Sequence, residues 1–106
     1  MYLGDFASRS EVEDQFHCKI PIDEKILLAV YTQECYEGSA FVLVQNVITG
    51  NLFEVNGSHC SCYGLEDQWE PEAVNVRALR NRMKDGHVGP YEIDIKADLE
   101  KVLAGL

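Results

Sequence analysis

From Gly38 to Leu65 the chain carries one ionised side chain, Glu54, while the segments on either side hold nearly all the others. A stretch of that length without charge belongs to the interior or hangs directly from it, since Asp, Glu, Lys and Arg are the residues that keep a surface segment in water. Lys25 to Thr32, just before it, has apolar residues on both alternating sets, Ile26, Leu28 and Val30 against Leu27, Ala29 and Tyr31. That is the pattern of a strand covered on both faces. Ala40 to Val44 repeats it, and Val47 to Val55 places a Gly50-Asn51 turn signal between two β-rich runs. The three runs predict an antiparallel meander, with Gln33 to Ser39 as a loop and Asn56-Gly57 closing the third strand.

Helical signals flank this sheet. Trp69-Glu70-Pro71-Glu72 predicts a helix start, because proline at the first helical position gives up an N–H that would be unpaired there and acidic neighbours suit the positive end of the dipole. Trp69 would then staple onto Val74. Ala73, Val76, Leu79 and Met83 share one face, the last turn is cationic, and Gly86 supplies the stop. Before Pro21, Ser8 with Glu11 and Ser10 with Glu13 form two candidate capping boxes for a short acidic helix. Tyr91, Ile93 and Ile95 alternate as a short strand would, and Leu99, Val102 and Leu103 suggest a closing helix. The expected fold is one α+β domain over residues 1–106: a three-stranded or slightly larger antiparallel meander with a helix packed on it, plus short N- and C-terminal helices.

Composition narrows the function classes. With 46% apolar residues in 106, the chain can bury a core without disulfides or metal. Eighteen acidic against nine basic side chains leave a formal charge of −9, which argues against nucleic-acid and anionic-lipid surfaces and favours a basic partner. No run approaches the roughly 18 apolar residues of a membrane span, and no signal peptide is visible, so a cytoplasmic protein with reduced thiols is expected.

The residues most suggestive of chemistry are His59-Cys60-Ser61-Cys62. Cys60 and Cys62 lie on the same side of an extended backbone, so a zinc-binding module with a fourth ligand from His17, Cys18, Cys35 or His87 is one reading. Structural zinc sites usually use paired Cys-x-x-Cys knuckles, and no second pair exists here. A cysteine-dependent enzyme is another reading, but neighbours His59 and Cys60 point to opposite faces and cannot form the base–nucleophile bond with each other. The surroundings also lack the positive charge that activates a thiol. Arg77, Arg80 and Lys84 make a cationic stripe that the helix dipole and acidic partners elsewhere explain. No phosphate loop or hydrolase elbow is present. Tyr36 in the first loop, with His59, Cys60, Cys62, Tyr63 and Trp69 after the third strand, would form an aromatic, nearly uncharged surface at one end of the meander, the candidate partner-binding residues.

The run Glu54-Val55-Asn56-Gly57-Ser58-His59-Cys60-Ser61-Cys62-Tyr63-Gly64-Leu65-Glu66, continuing to Gln68-Trp69-Glu70-Pro71-Glu72, resembles a segment in a family of small uncharacterised bacteriophage and prophage proteins. That family often has glycine where this chain has Asp67, a departure that bears on backbone conformation more than on chemistry. The resemblance implies a bacterial host cytoplasm as the setting and transfers no catalytic or ligand residue. The leading expectation is therefore a non-enzymatic acidic protein that binds a host protein as an inhibitor or modulator, with no cofactor.

Overall fold

A computed structural model of the chain describes residues 1–34, 37–59, 64–89 and 94–106. The fold is α+β, with five strands and three helices among those residues: β1 (Tyr2–Gly4), α1 (Arg9–Phe16), β2 (Glu24–Glu34), β3 (Glu37–Asn46), β4 (Leu52–His59), β5 (Glu72–Val74), α2 (Val76–Asp85) and α3 (Lys96–Ala104). The sheet runs in sequence order, β1-β2-β3-β4-β5. The expected antiparallel meander is its centre, β2 with β3 and β3 with β4. The sheet is larger than a three-stranded meander and not wholly antiparallel: β5 adds antiparallel to β4, and β1 pairs parallel with β2. A parallel neighbour needs a crossover, and α1 lies in that crossover.

Both faces of the sheet are covered, as the doubly apolar pattern of β2 and β3 requires. Phe6, Val12 and Phe16 pack with Ala29, Tyr31, Val42 and Val55 on the α1 face. Leu79, Leu99 and Leu103 of α2 and α3 pack with Leu28, Val30, Phe41 and Leu43 on the other. One detail departs from simple alternation. The β2–β3 register slips between Ile26 and Leu28, so Leu27 is an extra residue and Ile26 joins the face of Ala29 and Tyr31 instead of that of Leu28.

The N-terminal helix is capped by Ser8, whose hydroxyl accepts the Glu11 N–H at 3.3 Å, while the Glu11 carboxylate reaches back to the Ala7 N–H at 3.1 Å. Glu13 accepts the Ile20 N–H beyond the helix at 2.8 Å instead of serving a second capping box. His17 ends the helix in the left-handed conformation, φ 52°.

Three sequence expectations are corrected. The β2 and β3 strands extend through Glu34 and from Glu37, so most of the expected 33–39 loop is hairpin. The third meander strand runs through Asn56-Gly57 to His59. The helix does not begin at Pro71: Glu72–Val74 pairs with Leu52–Glu54, and the helix waits for Asn75, whose Oδ1 accepts the Ala78 N–H at 2.8 Å. Proline is at home at the first edge of a strand as well as of a helix, because its missing N–H leaves no ladder bond unmade. The cationic last turn, Arg82 and Lys84, is as expected, and the Gly86 N–H bonds to the Arg82 carbonyl. Tyr91 and Ile93 of the expected short strand lie outside the described residues. No helix among the described residues is long and apolar enough to cross a membrane.

Candidate functional site

His59, the last residue of β4, pairs with Gly38 of β3 and so lies at the end of the sheet where Glu34 of β2 pairs with Glu37 of β3. Tyr36, Cys60, Cys62 and Tyr63 lie outside the described residues. The His59 ring meets the Tyr31 ring edge-on, centroids 6.3 Å apart, and its buried Nδ1 has no hydrogen-bond partner among the described residues. Tyr31 is 1% exposed, and its hydroxyl makes no hydrogen bond of good geometry among the described residues, although Gln33 is near enough to favour the ionised form slightly. Burial first and the Asp5 charge second hold the phenol above its usual pKa, so it stays protonated.

Residues 64–68 are held in place by the side chains of Gln68 and Glu66. Gln68 Oε1 accepts the Ser58 N–H at 2.8 Å, and its Nε2 donates to the carbonyls of Ser58 at 2.7 Å and Gly64 at 2.8 Å. Glu66 accepts the Gly64 N–H at 3.2 Å. Backbone N–H groups, with a smaller part from His17 and His59, hold the Glu66 carboxyl below its usual pKa. Asp67 stands between them at φ 65°, a left-handed conformation in which glycine is at ease. Gly57 gives β4 room here: a Cβ would come within 3.0 Å of Leu65 and 3.2 Å of Phe16.

Trp69 does not staple onto Val74. Its ring meets Phe16 edge-on at 5.2 Å and packs, half-buried, against the core on the α1 face. Among the described residues no three His, Cys, Asp or Glu side chains converge as metal ligands. The Cys18 thiol is raised above its usual pKa by burial and then by Glu13, the opposite of an activated nucleophile.

On the other face, Glu54 is 6% exposed beneath α2, and Arg82 Nη1 donates to its Oε1 at 2.6 Å. A shallow pocket of about 430 Å3 opens beside this pair, lined by Asn81, Arg82, Asp85, Gly86 and His87. Arg80, from the cationic stripe, pairs with Glu100 at 2.9 Å.

The opposite end of the sheet holds residues that sequence reasoning missed. Ile22 is 100% exposed, Ile48 78% and Val47 60%. The two loops that carry them are joined: the Val47 N–H donates to the Asp23 carbonyl at 2.8 Å, and Asn46 Nδ2 to Asp23 Oδ2 at 3.0 Å. Asn46 Oδ1 also accepts the N–H groups of Ile48 and Thr49, each at 3.0 Å, which holds Val47 and Ile48 in a turn. Below Ile22, Arg9 donates from Nη1 to the Glu24 carbonyl at 2.7 Å and from Nη2 to those of Ile20 at 3.0 Å and Pro21 at 2.8 Å. The Glu24 N–H closes the turn onto the Pro21 carbonyl at 3.0 Å. The one signal in the sequence was Pro21-Ile22-Asp23, an isoleucine between two turn residues.

No protein-family model, curated protein or solved structure matches the chain.

Proposed function

We propose that the chain is a non-enzymatic binding protein that docks onto a basic host protein, within a bacterial cell carrying or producing phage, and modulates it. The observation that carries this reading is Ile22, a fully exposed isoleucine on a turn fixed by three Arg9 hydrogen bonds. An apolar side chain held rigidly in water lowers the ordering cost of association and adds nothing to the core. The formal charge of −9 supplies the second half of the reading, since it attracts a cationic surface and speeds encounter with it. The Cys18 thiol and the Tyr31 phenol are both held protonated, which suits neither to act as a nucleophile.

The test is capture from bacterial lysate on the immobilised chain at low ionic strength, followed by reconstitution with the purified partner. A basic protein that elutes as salt rises and rebinds in pure form supports the reading. Recovery of background alone, or a partner whose affinity ignores salt, removes it.

A further inference from the structure

We infer that Asn56-Gly57 is a latent deamidation site that the β3–β4 pairing keeps unreactive, an inference independent of the binding reading above. It is the chain's one Asn-Gly pair, and Asn56 is exposed on β4. Glycine after asparagine makes the pair labile, because no Cβ hinders attack of the following backbone nitrogen on the asparagine carboxamide. Packing demands the glycine: a Cβ on Gly57 would come within 3.0 Å of Leu65, 3.2 Å of Phe16 and 3.4 Å of Gln68 Oε1. The residue that lets β4 lie against the α1 face therefore also exposes Asn56 to this chemistry.

The backbone opposes the reaction. Ser58 turns its N–H and carbonyl to Gln68, away from β3. Backbone groups alternate along an antiparallel strand, so those of Gly57 turn toward its partner Ala40. Ring closure needs the Asn56–Gly57 peptide to rotate out of the extended conformation and the Gly57 nitrogen to lose its proton, and either change breaks the bond to Ala40. β5 pairs with β4 over Leu52–Glu54, short of Asn56, so on that edge the Gln68 carboxamide is the clasp beside the labile bond. When the strand opens, the Gly57 nitrogen attacks Asn56 Cγ, its proton passes to a base in solvent, and the Cγ–Nδ2 bond breaks to release ammonia. Water then opens the succinimide. Attack at Cγ leaves an aspartyl residue, and attack at the backbone carbonyl carbon leaves an isoaspartyl residue, whose main chain runs through Cβ and Cγ. Both products add a negative charge, and the second lengthens β4 by a methylene. That added length shifts Gly57, Ser58 and His59 out of register with Ala40, Ser39 and Gly38 and draws Ser58 away from Gln68.

The test incubates the full-length chain at mildly alkaline pH, in native buffer and in urea above its unfolding midpoint. Asn56 is followed by peptide mass mapping, with an isoaspartate-specific methylation assay on the separated peptides. The expected result is deamidation at Asn56 about tenfold or more slower in native buffer than in urea, since the reaction waits on local opening of the strand. Q68A should react several-fold faster than the parent in native buffer and at the parent's rate in urea. Asp85-Gly86, which can close the same ring, isomerises without a change of mass and falls on a different tryptic peptide. Equal rates in native buffer and in urea overturn the protection by the β3–β4 pairing. An Asn56 that stays intact in urea overturns the site itself. A Q68A rate equal to the parent's in native buffer overturns the part given to Gln68.

Discussion

Gln68 pairs with Ser58 as a neighbouring strand would, accepting its N–H at 2.8 Å and donating to its carbonyl at 2.7 Å through one carboxamide. β5 covers β4 only at Leu52–Glu54, so at Ser58 this side chain stands in for the missing backbone. Its third bond, to the Gly64 carbonyl, anchors both ends of the segment that contains Cys60 and Cys62. Q68A should lower stability by about 1–3 kcal/mol, from three bonds worth about 1 kcal/mol net each. Q68E should do at least as much harm, because a carboxylate cannot donate to the two carbonyls. Urea denaturation checks this, with a lowered midpoint at unchanged slope. An unchanged midpoint for both variants would show that water replaces the carboxamide at no cost.

Arg9 does for the Ile22 turn what Gln68 does for β4. R9M removes three charge-assisted bonds but keeps the aliphatic stem, and water reaches part of the vacated carbonyls, so the global loss should stay near 1–2 kcal/mol. The local effect is larger and more diagnostic. Amide exchange at Glu24, whose N–H closes the turn onto Pro21, should accelerate well beyond that of the β3 core. R9K should fall between, since an ammonium cannot spread over three carbonyls as a guanidinium does. Equal acceleration throughout the sheet would place Arg9 in the core's stability and not in the turn.

These two side chains also mark where the sequence stops being readable. The doubly apolar runs announce β2 and β3, because a strand covered on both faces leaves no room for charge. The Val47-Ile48-Thr49 run misleads, since β-branching favours a strand while Asn46 draws its N–H groups into a turn. Trp69-Glu70-Pro71 misleads in the same way: the proline fits a helix start, yet the unpaired edge of β4 takes Glu72–Val74 first. The end of the sheet where His59 sits follows from the meander alone. The exposed Ile22 turn and its link to the Asn46 turn do not, because they depend on Arg9 and Asn46 reaching residues 11 to 23 positions away. Such contacts leave no periodic trace.

Asp67 holds φ 65°, a conformation that costs a non-glycine residue about 1–2 kcal/mol, less for Asp than for most. Glycine there would relieve the strain and lose about 0.5–1 kcal/mol through a more flexible unfolded chain. D67G should therefore leave stability within about 1 kcal/mol of the parent, while D67V, β-branched, should cost clearly more. Thermal denaturation of the two variants separates strain from chemistry. A large loss on D67G would mean that the Asp67 side chain itself holds the turn.

The Glu54–Arg82 pair is asymmetric, with a buried carboxylate and a half-exposed guanidinium, and Glu54 Oε2 has no hydrogen-bond partner among the described residues. R82M strands the buried charge and should cost about 2–4 kcal/mol, at or below the range for fully buried pairs because water already reaches the arginine. The double variant E54L/R82M removes both charges and should recover most of that loss. A double variant no more stable than R82M would show that the pair orients α2 through its geometry, independently of the charge it neutralises.

Glu66 links the fold to pH. Its folded carboxyl lies below its ordinary value near 4.5, chiefly because backbone N–H groups stabilise the anion. A depressed pKa means that the unfolded chain takes up the proton first on acidification. The contribution of Glu66 is therefore fully present above its unfolded value and is lost as pH falls through its folded value. E66Q keeps an acceptor for the Gly64 N–H but carries no charge. The stability gap between parent and E66Q should be constant near neutrality, then close as pH drops from about 5 through the acid range. Urea midpoints of the two proteins measured across that range give the result directly. A gap that does not change with pH would mean that hydrogen bonding alone, without the charge, holds the Gly64–Gln68 segment.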